Sequence, residues 1–380
     1  MPRSQKPDND ITTDAESLIP TSFYTIFKQE RVFIGLVGIF FFIAGVTFPY
    51  AKIAMWVGFA LAGYSAIAND SIQTIGTFLA SNQDKKWWVL WLYIGGIFLV
   101  TVTTSWLMYD GDVSHQRLAA KGFDKAPTEF VFLQVAAPIF LLILTRMRMP
   151  VSTTFLILSS FAASTNAIED VLKKSLSGYV VAFVSAIIVW LLLSKVIRKY
   201  FTGKAAAYWM PLQWLTSGML WSVWIMQDAA NIAVYLPRQL SVGEFLAFSL
   251  YIFFGLGLLF YLRGDRIQQI VTEKSEITDV RAATLVDFVY SIIMYYFKYQ
   301  SKVPMSTTWV FLGLLAGREI AMSITDGPGK GSGNGVGYAK AFRMIIKDVS
   351  YALIGLIISI ILAAAINPNI REDIIKLVGY

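Results

Sequence analysis

The chain carries one polar pattern twice within otherwise apolar sequence. The first copy reads Asn69-Asp70-Ser71-Ile72-Gln73, then Pro150-Val151-Ser152-Thr153-Thr154. The second reads Gln227-Asp228-Ala229-Ala230-Asn231, then Pro304-Met305-Ser306-Thr307-Thr308. Asp70 and Ser152 are 82 residues apart, Asp228 and Ser306 are 78 apart, and a tryptophan stands 14 positions before each aspartate (Trp56, Trp214). Residue type, order and spacing recur together, which marks an internal duplication. The fold must therefore hold two related halves, each bringing carboxylate, amide and hydroxyl groups into an apolar body, a plan expected of membrane carriers.

Composition places that body in a bilayer. Of 380 residues, 56% are hydrophobic and 15% charged, against roughly 25% charged in soluble domains. The apolar runs 32–48, 87–108, 130–144, 179–193, 245–261 and 349–366 approach or match the roughly 17–25 residues of a transmembrane helix. Lipid offers the backbone no hydrogen-bond partner, so these runs are predicted as helices. They are continuous rather than alternating, which argues against a β-barrel. The absence of cysteine excludes disulfides and thiolate chemistry. The single histidine, His115, falls in the polar loop 110–127 and makes no metal site alone. A net charge of +7 without a dense basic run points to lysines and arginines flanking membrane spans, not to nucleic acid. Residues 1–22, polar and containing Pro2, Pro7 and Pro20, read as a disordered tail rather than a signal peptide. Trp87, Trp88, Tyr109, Tyr200 and Tyr208, at the ends of apolar runs, fit an interfacial aromatic belt.

The predicted fold is all-α: a polytopic transmembrane helical bundle with two inverted repeats, broken helices and re-entrant Ser-Thr-Thr hairpins. The expected divisions are a polar N-terminal tail at 1–30, a first repeat at 31–203, a second at 204–366 and a C-terminal tail at 367–380. The connector between repeats is Arg198-Lys199-Tyr200-Phe201-Thr202-Gly203-Lys204. Each half is predicted to run through a helix broken at its Asn/Gln-Asp pair, a full span, a polar link, a second span, the Ser-Thr-Thr segment and a closing span. Inversion needs an odd number of crossings between equivalent points, so either 150–163 crosses fully or the broken helix folds back; the sequence leaves both open. The segment 264–281 has the character of an amphipathic surface helix. The glycine-rich stretch 326–340 lacks the Gly-Lys-Ser/Thr of a nucleotide loop, because Gly331 separates Lys330 from Ser332.

The polar pattern carries the chemistry. Asp70 and Asp228 each follow about 14 largely apolar residues, and a carboxylate at mid-membrane costs about 2.5–3.5 kcal/mol. A bound cation such as Na⁺, or a proton, would compensate; a helix-capping role is the alternative. Asn69 and Gln73 flank Asp70 as Gln227 and Asn231 flank Asp228. Their oxygens suit a hard cation, although amides also join helices in membranes. Ser152-Thr153-Thr154 and Ser306-Thr307-Thr308, each preceded by a proline, look like helix starts. A helix start with several hydroxyls is an anion site built from neutral donors. Arg318 and Glu319, inside an apolar segment, are either a local pair or a gate. Glu169 and Asp170 are expected at an interface, solvated.

At these residues the chain resembles the inorganic phosphate transporter family of sodium- or proton-coupled phosphate permeases. That family has a Gly-Ala-Asn-Asp-x-Ala-Asn motif and a later Pro-x-Ser-Thr-Thr-His motif in each half. The matching stretches are 68–77, 226–231, 150–154 and 304–308, within a shared plan running from about residue 54 to 366. Ile67 and Met226 replace a glycine and an alanine of the motif, Gln73 and Gln227 replace asparagines, and Phe155 and Trp309 replace the histidines. These departures leave cation identity, and phosphate against sulfate, open.

The resemblance implies a homodimeric carrier in the plasma membrane, multi-pass, in contact with the lipid bilayer and with no cofactor beyond Na⁺ or H⁺ as coupling ion. It implies inorganic phosphate or a similar oxyanion held by Ser152, Thr153, Thr154, Ser306, Thr307, Thr308, Asn69 and Gln227. Asp70, Gln73, Asp228 and Asn231 would hold the cation, with Asp70 and Asp228 as Na⁺ ligands in the sodium-coupled case. The expected function is secondary active phosphate transport by alternating access. Its rivals are a sulfate or related oxyanion carrier, a transport-dead anion sensor and, less in keeping with duplicated motifs, an intramembrane aspartyl protease; the reading is not of an enzyme.

Overall fold

The computed structural model describes residues 23–82, 84–147, 149, 151–200, 203–262, 280–326 and 338–378, without the side chains of 23–29, 70–73, 80, 194–200, 326, 338–341, 344, 377 and 378. The described residues form helices joined by turns and contain no strand. In order these are α1 (Phe23–Thr47), α2 (Ala51–Ser81), α3 (Trp87–Met108), α4 (Phe132–Arg146), a short α5 (Thr153–Leu156) and α6 (Thr165–Tyr200). The second half continues with α7 (Trp209–Ala233), α8 (Val242–Tyr261), α9 (Val280–Gln300), α10 (Thr307–Asp326), α11 (Tyr338–Ile366) and α12 (Pro368–Val378). Seven of them (α1, α2, α3, α6, α8, α9, α11) contain stretches long and apolar enough to cross a bilayer. The tail predicted for 1–22, the amphipathic segment over 264–279 and the glycine-rich stretch over 327–337 lie outside the described residues. The expected C-terminal tail contains helix α12.

Helix pairs from the two halves lie antiparallel. Across α2 and α7, Asn82 Nδ2 donates to Gln213 Oε1 (3.0 Å) and Trp214 Nε1 donates to Asn82 Oδ1 (2.8 Å). Across α3 and α8, Trp91 Nε1 donates to the Phe253 carbonyl and Trp106 Nε1 to the Leu240 carbonyl, at 2.9 and 2.8 Å. Early residues of one helix thus meet late residues of its counterpart, as inverted repeats require.

The contacts also settle the crossing question. At one face α4 ends beside α1, where Arg146 forms a bidentate pair with Glu30. At the other face α4 begins, with Phe132 against Phe48. The chain then returns through α5 and a 3₁₀ turn (Leu158–Phe161) to that second face, where Gln134 Nε2 donates to the Ser160 carbonyl and Ala163 N–H to the Gly122 carbonyl. Segment 150–163 therefore crosses, and α6 starts from the same face as α2 and α4. Helices α2 and α7, by contrast, run uninterrupted through 69–73 and 227–231. The breaks predicted there are not present. An unbroken helix keeps its backbone bonds internal, which leaves the side chains of Asn69 and Asp228 to reach Val151, Thr145 and Thr307 on other segments. The interruption falls at the first Ser-Thr-Thr, where α5 lasts four residues.

The closing helices are exchanged between halves: α10 packs on α6, and α5 packs on α11. Small residues every fourth position make the first crossing close, with Gly178, Ala182 and Ala186 on α6 and Gly313, Gly317 and Ala321 on α10. A Cβ on Gly313 would collide with the Tyr179 carbonyl oxygen, and one on Gly317 with the Phe183 carbonyl oxygen and the Ala186 Cβ. Close backbone approach through small residues is how apolar helices associate where lipid competes for the same contacts.

The loop between α3 and α4 is itself packed. The Asp112 carboxylate accepts from the backbone N–H of Ser114 and Gln116, and left-handed backbone follows at His115 (φ 50°) and Gln116 (φ 65°). His115 is buried rather than a free loop residue, with Nε2 3.1 Å from the Thr101 carbonyl. Burial above all, then the charge of Lys298, pushes its imidazole down to about 4, against the Thr101 hydrogen bond and with a further contribution from Arg117.

Two outcomes follow. Gly317→Leu should overpack the α6–α10 crossing and cost about 1–3 kcal/mol or more, read as a lower melting temperature in detergent. Gly38→Ala, where nothing lies within 4 Å, should leave it unchanged or slightly higher. For His115, the folded value lies below the unfolded 6.5, so the stabilisation is complete above pH 6.5 and is lost as pH falls towards 4. Thermal melts from pH 7 to 4 should show this decline in the native chain and a shallower one in His115→Gln, which keeps a donor for Thr101.

Candidate functional site

The second Ser-Thr-Thr opens a 20-residue helix, α10. Ser306 is its N-cap, with Oγ accepting from the Trp309 N–H (3.2 Å). Pro304 stands two residues ahead of this cap, as the sequence pattern has it. Ser152 caps α5 in the same way, with Oγ accepting from the Phe155 N–H (3.2 Å). All six hydroxyl residues are buried.

Outside groups hold the second triplet in place. The Ser306 N–H donates to Ser175 Oγ of α6 (2.8 Å), and the Tyr290 hydroxyl donates to the Thr307 carbonyl (2.9 Å). The strand of chain leading into it is anchored by two buried cations. Arg117 donates to the Ser301 carbonyl and, at 2.5 Å, to the Lys298 carbonyl; Lys174 Nζ donates to the carbonyls of Ser301 (3.1 Å) and Val303 (2.6 Å). Burial lowers the Arg117 guanidinium to about 10, still charged at neutral pH. Cations at the C-terminal end of α9 meet carbonyls left unpaired by the helix.

Asp228 closes onto this triplet. Its Oδ2 accepts from Thr307 Oγ1 (2.6 Å) and its Oδ1 from Asn231 Nδ2 (2.6 Å), with the carboxylate buried. Thus the residues predicted from 79 positions apart are in direct contact. Around them, among the described residues, lie buried polar atoms with no hydrogen-bond partner: Gln227 Nε2 and Oε1, Asn231 Oδ1, Thr308 Oγ1 and the indole nitrogen of Trp224. An apolar cavity reaches Asp228 between α2, α3, α7 and α8, walled by Trp221, Trp224, Phe98 and Phe248.

In the first half, Asn69 is at the triplet: its Nδ2 donates to the Val151 carbonyl (3.2 Å), and its Oδ1 accepts from Thr145 Oγ1 (3.0 Å). The side chains of Asp70 and Gln73 lie outside the described residues. The two triplets meet each other. Thr154 Oγ1 donates to the Met305 carbonyl (3.1 Å), and the rings of Phe155 and Trp309 lie 5.2 Å apart.

Other predicted groups sit apart from this centre. Arg318 and Glu319 form a local pair at 3.3 Å, with the guanidinium 6.0 Å from the Trp190 ring. Glu169 pairs with Lys173 at 2.6 Å on an exposed face. Sequence reading missed Thr145, Ser175, Arg117 and Lys174, which position the triplets, and a third buried carboxylate, Asp287. The signal for Asp287 was present, a lone acid inside the apolar run of α9, but α4 has no acid to match it. Among the described residues no cluster of three or more histidine or carboxylate groups forms a metal site.

No protein-family model matches the chain, and no curated protein matches it. A solved structure described as "The sodium-dependent phosphate transporter" shares the fold, with a TM-score of 0.57 at 19% identity over 86% of this chain and 99% of that one.

Proposed function

We propose that this chain is a secondary carrier moving inorganic phosphate, or a similar oxyanion, across a membrane together with Na⁺ or H⁺. The observation that carries the reading is the set of partnerless buried atoms beside Asp228: both polar atoms of Gln227, Asn231 Oδ1 and Thr308 Oγ1. Leaving such a group unsatisfied costs about 1–3 kcal/mol, so a ligand that satisfies several gains that energy on binding. Their chemistry divides in two. Gln227 Oε1, Asn231 Oδ1 and the Asp228 carboxylate suit a hard cation. Gln227 Nε2, the Thr308 hydroxyl and the start of α10 suit an oxyanion. Ser152, Thr153, Thr154 and Asn69 would complete the anion site from the first half, and Asp70 with Gln73 the cation side. The shared fold with a protein described as a sodium-dependent phosphate transporter supports the same reading.

Neutral donors explain why the two cargoes would travel together. Hydroxyl and amide groups hold an oxyanion without a fixed counter-charge, so a cation bound alongside at Asp228 raises its affinity, and the linkage is reciprocal. Alternating access would arise from movement of one inverted repeat against the other around the meeting triplets.

Labelled phosphate uptake into proteoliposomes, driven by a Na⁺ or proton gradient and challenged with excess sulfate, tests this. Native protein should accumulate phosphate under one gradient, and Asp228→Asn should lower cation-driven uptake about tenfold or more, the equivalent of 1.4 kcal/mol, with its melting profile retained. Unchanged uptake in that variant would remove the cation role. Accumulation of sulfate in place of phosphate would change the cargo, and no flux of either anion through folded protein would overturn the carrier.

A further inference from the structure

Asp287 is 1% exposed and sits seven residues into α9, about 10 Å from the start of that helix at 1.5 Å per residue. Two hydroxyls from different halves of the molecule donate to it: Thr77 of α2 to Oδ1 at 2.8 Å, and Ser217 of α7 to Oδ2. Thr77 lies four residues before the end of α2 and Ser217 eight residues after the start of α7. The carboxylate therefore lies towards the face at which α2 ends and α7 and α9 begin, one helical turn before Tyr290, whose hydroxyl is engaged with the Thr307 carbonyl. A polar chain leads on from it: Gln213 Nε2 donates to Ser217 Oγ (3.0 Å), and Asn82 Nδ2 donates to Gln213 Oε1 (3.0 Å).

No cationic side chain among the described residues pairs with Asp287. On its own helix, Arg281 donates to the Gly203 carbonyl at 3.1 Å, and Lys298 lies over the Tyr299 ring at the opposite end. On α2, Asp70 is seven residues before Thr77, and on α7, Asp228 is eleven residues past Ser217, about 10 and 16 Å along their helices. The nearest charges beyond α2, Asp84 and Lys85, pair with each other at 3.1 Å. On α6, Lys174 is committed to carbonyls at the far end of α9, and on α10, Arg318 pairs with Glu319. Among the described residues, two neutral hydroxyls are the compensation for a charge that is expensive to bury in a membrane.

The surroundings are wrong for a metal ion. Ser217 Oγ donates to the carboxylate and accepts from Gln213, and Gln213 Oε1 is taken by Asn82. Each carboxylate oxygen accepts one hydrogen bond, and the neighbouring hydroxyl and amide oxygens are engaged with other partners instead of converging on a point, whereas a hard cation gathers several oxygen ligands. A proton needs only one lone pair.

We propose that Asp287 is a reversible proton site, separate from Asp228, that latches the two repeats together. The step is carboxylate plus proton giving carboxylic acid. The new Oδ1–H donates to Thr77 Oγ1, whose own proton turns to a backbone carbonyl one turn back along α2, a bond threonine makes readily in helices. Charge-assisted hydrogen bonds are about twice as strong as neutral ones. The charged form therefore clamps α2 of the first repeat to α7 and α9 of the second, and protonation loosens that clamp. Proton binding stands on the geometry alone; its part in transport rests on the carrier reading above.

Infrared pH-difference spectra of the full-length protein in lipid nanodiscs, without phosphate, test the site. The C=O stretch of a protonated carboxyl should grow in on acidification, vanish in Asp287→Asn and persist in Asp228→Asn. Thr77→Val and Ser217→Ala, which remove donors to the charged form, should each move its midpoint to higher pH by about half to one unit; these two carry the test if Asp287→Asn does not fold. A native-minus-Asp287→Asn spectrum with no titrating carboxyl, or a band unmoved by both hydroxyl variants, would overturn the proposal. A silent spectrum with coupled anion flux intact would remove the proton site and leave the carrier. A titrating band with no flux of phosphate or sulfate would do the reverse.

Discussion

The meeting of the two Ser-Thr-Thr segments is the contact on which the bundle depends. Thr154 reaches the Met305 carbonyl, and Phe155 packs on Trp309. Two segments some 150 residues apart in sequence come together from opposite directions only if the halves are inverted. Inversion in turn demands that 150–163 cross the bundle, as its contacts with Gln134 and Gly122 show. The exchange of closing helices follows from the same demand. Helix α6 leaves the first triplet and packs beside the second, and α11 leaves the second and packs beside the first. The small-residue crossing at Gly313 and Gly317 lets α10 lie deep enough for Thr307 to touch Asp228.

Duplication of the sequence did not produce two identical helix starts. The second triplet opens a 20-residue helix, whereas the first opens four residues and turns into 3₁₀ geometry. The aligned peptide dipoles of a helix start are thus those of a full helix at the second triplet and of a single turn at the first. Asn69 spends its amide on Thr145 and Val151, while Gln227, at the equivalent position, leaves both polar atoms without a partner. Phe155 and Trp309, which follow the two triplets, pack ring against ring, which makes the contact between triplets apolar on one side and polar on the other.

Much of this was legible in the chain. Continuous apolar runs and a repeated polar pattern led to the helical bundle and its two halves, and the same pattern singled out Asp228 and the second triplet, whose contact only the structure shows. The uninterrupted helices α2 and α7 were not legible, because an Asn-Asp or Gln-Asp pair reads as a breaker until its partners on other helices are seen. Arg117 and Lys174 escaped for a related reason: each serves carbonyls more than 120 residues away. Asp287 escaped because the duplication served as the filter for function, and this carboxylate has no copy.

The sequence by itself determined that the chain is a membrane bundle of paired halves, since hydropathy and repetition are local properties that survive in any arrangement of the helices. Only the tertiary structure decided which helices cross, which closing helix covers which triplet, and which polar atoms remain unmatched once packing is complete. Those are sums over contacts between distant segments. A buried donor or acceptor is satisfied or left open only when every neighbour has been placed.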